Sequence, residues 1–163
     1  MHETGALTIE EESGDYSAKR LVEIFGGPRH RVTWKEARNI EHKPELIFER
    51  VYGIQNPVLA KELGNTEVGD GWRYRGRGIL QTTGRGNYRR VGQKCGVDFE
   101  ANPELVVSAE HALKPALAEW TEGNLNEAAD KDHLVVITRR INGGLNGLAN
   151  RREWLAKLKR VIK

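Results

Sequence analysis

The stretch Gly69-Asp-Gly-Trp-Arg-Tyr-Arg-Gly-Arg-Gly-Ile-Leu-Gln-Thr-Thr-Gly-Arg-Gly-Asn-Tyr88 decides how the rest of the chain is read. Glycine at this density lets backbone approach backbone or ligand closely. The arginines and aromatics between the glycines suit planar or polyhydroxy ligands. A solvated surface loop would need nothing more. This stretch, however, closes in Gln81, Thr82, Thr83 and Asn87, neutral polar groups that point to a binding groove.

Working outward, the flanks supply helix signals. Ser17 to Phe25 fits a short helix with Leu21, Val22 and Phe25 inward, and Thr33 with Glu36 three residues on has capping-box spacing. Pro44 at a first helical position opens Glu45 to Val51, stopped by Tyr52-Gly53. The glycine-rich stretch has no strong periodicity; short antiparallel strands are expected around Trp72–Tyr74 and Gly78–Gln81. Asn102-Pro103 starts a helix whose apolar face is Leu105, Val106, Ala109, Leu113, Ala116, Leu117 and Trp120, with a kink or break predicted at Pro115. Asp132 can cap a helix over Leu134 to Ile141 ended by Gly143-Gly144, and Asn150 can cap a last helix carrying Trp154, Leu155 and Leu158. The pattern is mainly α with an irregular, glycine-rich middle.

The 163 residues, 38% apolar and 30% charged, read as a single globular domain over 1–163 with a sizeable core. Charge is unevenly spread. No acid falls between Gly71 and Val97 against seven cations, and Glu153 alone faces eight cations from Arg139 to Lys163. Such a surface is expected to attract an anionic polymer. The single cysteine, Cys95, excludes an internal disulfide framework. No apolar run reaches membrane-spanning length and no signal peptide opens the chain, so cytoplasmic synthesis without stable membrane insertion is expected. Walker A, zinc-protease and nucleophile-elbow patterns are absent from the sequence. Binding of nucleic acid through Arg73 to Arg90 and the aromatics Trp72, Tyr74 and Tyr88 is the rival reading, but it leaves the amide and hydroxyl groups without a use.

Three constellations carry candidate chemistry: Glu3 beside His2 with the acidic run Glu10-Glu11-Glu12; Gln81, Thr83 and Asn87; and Arg139-Arg140-Ile141-Asn142-Gly143-Gly144. Glycosidic cleavage needs one carboxylic acid to protonate the leaving oxygen and one carboxylate to activate water. Taken with Tyr16-Ser17-Ala18-Lys19-Arg20-Leu21, Val51-Tyr52-Gly53, YRGRGILQTTGRGNY and RRINGGLNGL before Arg151-Arg152, these motifs resemble glycoside hydrolase family 19, in its bacteriophage endolysin and bacterial chitinase-like branch. The resemblance follows the family's order over essentially the whole chain.

It implies a lysozyme-like bilobal fold and a cell-wall glycosidase that hydrolyses peptidoglycan by inversion, with a chitinase as the alternative. Glu3 matches the general acid, Glu12 the general base and Thr83 the hydroxyl that holds the water. Gln81, Asn87 and Asn142 match amides lining the cleft; Trp72, Tyr74 and Arg77 match its sugar-facing or wall-forming loop. Arg151 or Arg152 matches a cleft arginine, and the spacing does not choose between them. In the family, His-Glu ends a helix preceded by several tens of residues, whereas this chain opens at Met1. The expectation is therefore an N-terminally truncated catalytic domain of reduced activity, or an inactive wall-binding remnant. No cofactor or metal is implied. The implied partners are peptidoglycan or chitin glycan strands, bound by a monomer reaching the wall after holin-type release, with no role for nucleic acid.

Overall fold

A computed structural model describes residues 11–162, so Glu3 lies outside the described residues. The described chain is mainly helical. Its elements are α1 (Ala18–Phe25), α2 (Trp34–Ile40), α3 (Pro44–Tyr52), α4 (Pro57–Leu63), α5 (Asp70–Arg73), α6 (Arg85–Cys95), a 3-10 turn (Pro103–Val107), α7 (Lys114–Glu122), α8 (Leu125–Asp130), α9 (Leu134–Asn142) and α10 (Leu148–Val161). No helix among the described residues is long and apolar enough to cross a membrane.

Local chemistry accounts for the first three helices. The Ser17 hydroxyl accepts from Arg20 N–H, Thr33 and Glu36 close a complete capping box, and Pro44 opens α3. Their inward residues Leu21, Phe25, Ala37, Ile47 and Val51 form one core. A second core joins Tyr74, Tyr88, Val91, Phe99 and Val106 around α6. α6 packs on α4 and α7, and α7 to α10 follow one another in sequential contact.

The expected strands at 72–74 and 78–81 are not formed. Residues Asp70–Arg73 are helical, and among the described residues pairing is limited to two isolated antiparallel bridges, Glu11 with Arg77 and Arg77 with Thr82. Tertiary capping explains the difference. The buried Glu49 carboxylate on α3 accepts from the Gly69 and Gly71 N–H groups, while Asp70 accepts from Thr66 and Glu67 N–H. The Glu49 bonds satisfy donors at the start of α5 that a four-residue helix cannot satisfy by itself, and the Asp70 bonds tie the preceding turn to that start. Gly71 also lies directly on α3: a Cβ there would stand 2.4 Å from the Phe48 carbonyl oxygen.

Three further expectations change. The 103–120 segment breaks in two as expected, but the break falls after Val107 and the chain restarts at Lys114, with Pro115 in the first turn of α7; Leu113 and Leu117 are exposed rather than on an inward face. Asp132 has positive φ and pairs with Lys159 instead of capping α9. α10 starts after Gly147, in left-handed conformation, so Asn150 lies inside the helix. Gly143 ends α9 in the left-handed conformation that the double glycine predicted. The sequence reading did not find α4, α6 and α8, although Asn56 caps α4, Pro57 opens it, and Gly64 and Gly96 end α4 and α6 in the left-handed conformation.

Candidate active site

Glu12 stands where the segment before α1 crosses the glycine-rich loop. Its N–H donates to the Gly76 carbonyl at 2.9 Å, which pins the residue to the loop backbone. The side chain turns into a half-buried seat where the Tyr16 and Tyr52 hydroxyls donate to the carboxylate at 3.4 Å. Burial raises the Glu12 pKa above the usual carboxylate value, and the bonds from Tyr52 and Tyr16 and the charge of Arg75 only partly offset it. The same desolvation and the adjoining carboxylate raise Tyr16 to about 12.

Gly76 is the floor of this seat. A Cβ on it would meet Gln81 Oε1 at 2.8 Å, Glu12 Oε2 at 3.2 Å and Thr83 Oγ1 at 3.2 Å. Three side-chain oxygens from positions 12, 81 and 83 thus converge over one glycine, and a side chain there would obstruct all three. Thr83 donates its hydroxyl proton to the Gln81 carbonyl at 2.9 Å, leaving its oxygen free to accept. Gln81, held at φ 53°, donates Nε2 to the Gly78 carbonyl, and Asn87 donates to the Thr83 carbonyl at 2.7 Å. Gln81, Thr83 and Asn87 also line a cavity of about 460 Å³ with Leu80, Arg140 and Ile141, so α9 forms part of its wall.

The neighbouring carboxylate has a different environment. Glu11 pairs with Arg75 and, at 3.0 Å, with Arg77. Partial burial pushes its pKa up, but Arg77 and Arg75 outweigh that and hold it below the usual value.

The other expected site residues divide by location. Tyr74 is 2% exposed, donates to the Glu100 carbonyl and belongs to the second core. Arg77, 6% exposed, bonds the Arg73 carbonyl and the Tyr88 hydroxyl besides Glu11. Both build the loop from within and neither presents a face to a sugar. Trp72 is half-buried, stacked on Phe48 with the Arg75 guanidinium 3.8 Å above its ring. Asn142 and Arg151 are brought together, with Arg151 donating to Asn142 Oδ1 at 3.2 Å, but they make no contact with Glu12. Arg152 makes no such bond to Asn142, so Arg151 is the arginine that the fold joins to that amide.

Sequence reasoning missed Gly76, Tyr16 and Tyr52 as parts of this seat. Tyr16, four residues after Glu12, carried a local signal; Tyr52 is forty positions away and no spacing rule reaches it.

No family model matches the chain. A "Glycosyl hydrolase family 19 domain-containing protein" of Haemophilus influenzae is 37% identical over 153 residues, covering 92% of this chain and 70% of that protein. "Chitinase 8" of Oryza sativa subsp. japonica is 36% identical over 92 residues, 44% of this chain and 35% of its own length. "Basic endochitinase B" of Arabidopsis thaliana is 28% identical over 151 residues, 78% of this chain and 44% of its own. The matched region thus spans less than half of each of these two plant proteins. With a relative of that identity matched over nearly the whole chain, and with a carboxylate, an amide and a hydroxyl converging on the loop that first suggested it, this protein belongs to glycosyl hydrolase family 19.

Proposed function

We propose that this protein hydrolyses the β-1,4-linked glycan of bacterial peptidoglycan with inversion, Glu12 acting as general base and Glu3 as general acid. The observation that carries the reading is the convergence of Glu12, Gln81 and Thr83 over Gly76. Thr83 has committed its proton to the Gln81 carbonyl, so its oxygen can only accept. A water held there donates one proton toward Thr83 and the other toward Glu12, and its lone pair is left facing the anomeric carbon. As the water oxygen bonds to that carbon, Glu12 takes the proton. The glycosidic C–O bond breaks and its oxygen is protonated by Glu3. A base whose pKa is raised by burial accepts that proton more readily than an ordinary carboxylate. Asn87, Asn142 and Arg151 are assigned to holding the sugar, with Trp72 as a loop wall.

Chitin is the second reading, favoured by the plant relatives named as chitinases. Reducing-end release from purified peptidoglycan and from chitin oligosaccharides separates the two. We expect release from peptidoglycan, lowered by about 10²–10⁴-fold in Glu12→Gln, the usual contribution of a positioned general base. The melting temperature of that variant at pH 7 should be equal or higher, because the neutral amide avoids the cost of a half-buried charge. Cleavage of chitin oligosaccharides alone would replace the peptidoglycan reading, and undiminished activity in Glu12→Gln would remove Glu12 from the mechanism.

A further inference from the structure

We propose that Glu11 is a positioning residue that acts through Arg75: by binding Arg75 and Arg77 it keeps the Arg75 guanidinium off the Glu12 carboxylate and fixes Glu12 over Gly76. The inference rests on the reading of Glu12 as the base. Glu11 and Glu12 are adjacent in sequence and face opposite surroundings. Glu11 bridges two guanidiniums, whereas Glu12 receives two phenols and, among the described residues, forms no ion pair.

Arg75 is the group that can change sides. Its two Nη atoms reach Glu11 and the Trp72 carbonyl, its plane lies 3.8 Å above the Trp72 ring, and its buried Nε–H has no acceptor among the described residues. The Arg75 charge already acts on Glu12. With the Glu11 carboxylate gone, Glu12, adjacent to Glu11 in sequence and already reached by the Arg75 charge, is the carboxylate to which a guanidinium without its counter-ion would turn, and a direct pair would follow. Arg77 is less free, being tied to the Arg73 carbonyl, the Tyr88 hydroxyl and backbone bridges with Glu11 and Thr82. The Glu11–Arg77 bridge also sets the register that lays Glu12 N–H on Gly76.

The groups facing Glu12 are Tyr16 from the segment before α1, Tyr52 from α3, Arg75 from the loop after α5, and neutral Gln81 and Thr83. Arg20 acts on Tyr16, and Arg29 acts on Tyr52. An Arg75–Glu12 pair would overfill this seat and stabilise the ionised carboxylate, giving a weaker base.

The test is titration of the Glu12 carboxyl by carbon-13 NMR in wild type, Glu11→Gln, Glu11→Asp and Arg75→Gln, the resonance being assigned by its loss in Glu12→Gln. In Glu11→Gln the Glu12 midpoint should fall by about one pH unit or more, the usual effect of an opposite charge in contact. The acid limb of the pH–rate profile should move down with it. Glu11→Asp should restore part of the wild-type value, a rescue that a merely structural role would not produce in a titration. Arg75→Gln should move the Glu12 midpoint upward, and the double variant Glu11→Gln/Arg75→Gln should lose the fall expected in Glu11→Gln, since no guanidinium at position 75 remains to turn toward Glu12. An unchanged or raised midpoint in Glu11→Gln, or no change in Arg75→Gln, overturns the proposal. The titration needs no substrate, so absence of glycan hydrolysis in the wild type would count against the proposed function alone.

Discussion

Residues 73–94 and 139–160 are both strongly basic in sequence, and the fold uses them differently. In the first region six of seven cations meet carboxylates: Arg75 and Arg77 meet Glu11; Arg85 meets Asp70, Glu67 and Glu100; Arg89 meets Glu100; Arg90 meets Glu119 and Glu122; and Lys94 meets Glu122. Every one of those acids comes from before Gly71 or after Val97. In the second region, among the described residues, Lys159 alone forms an ion pair, with Asp132. Arg151 bonds neutral asparagines, and Lys157 lies over the Trp154 ring. A run of like charge in sequence therefore did not forecast a charged face. The first region is an internal network that shapes the cleft loop, and the second is a cationic surface on α9 and α10. The arginines that a nucleic-acid reading would have used are largely neutralised.

Breaking the first network where it is buried should have the largest effect. Asp70 is 2% exposed and takes both Arg85 and two backbone N–H groups. Asp70→Ala leaves the half-buried Arg85 short of its nearest counter-charge and should cost about 3–5 kcal/mol in urea unfolding. A loss under about 1 kcal/mol would place this region with ordinary surface pairs.

Acid should weaken the same region. Burial pushes the Asp70 pKa up, but hydrogen bonds from Arg85, Thr66 and Glu67 outweigh it and leave it below the usual aspartate value. At the α2 capping box, the bond from Arg50, with those from Thr33, lowers Glu36 to about 2. Both folded values lie below the unfolded ones, so their stabilisation is complete above the ordinary carboxylate range and is lost as pH falls from there toward 2. Unfolding free energy measured between pH 6 and 2 should decline over that window. A flat profile would deny the network its stabilising role.

The smallest stability effect is expected from the second region. Replacing Arg152, Lys157 and Arg160 together by glutamine should change stability by about 0.5 kcal/mol or less per site, as for exposed surface positions. Co-sedimentation with purified cell wall should instead weaken at low salt and lose its ionic-strength dependence. Wall binding that is unchanged in the triple variant would deny α10 a part in attracting an anionic polymer.

Much of the helical frame was legible because its signals are local. Ser17, the Thr33–Glu36 capping box, Pro44 and Gly143 act within one turn of chain, and each helix edge falls where they place it. Segments whose ends are held from a distance were misread. α5 depends on Glu49 of α3, and Asp132 is drawn to Lys159 of α10. The motif around Gln81, Thr83 and Asn87 was legible as a polar set, but Tyr74 and Arg77 within the same motif turned out to be buried supports.

The sequence by itself determined the family, the helical class and the groups that could do chemistry, because motif order and capping are properties of neighbouring residues. The tertiary structure decided which of those groups face one another. Glu12 and Glu11 are chemically identical and adjacent. Only the fold surrounds one with Tyr16, Tyr52 and Thr83 and raises its pKa, and clamps the other between two arginines and lowers it. Burial and counter-charge arise from residues tens of positions away, so the difference between these two carboxylates exists only once the chain has folded.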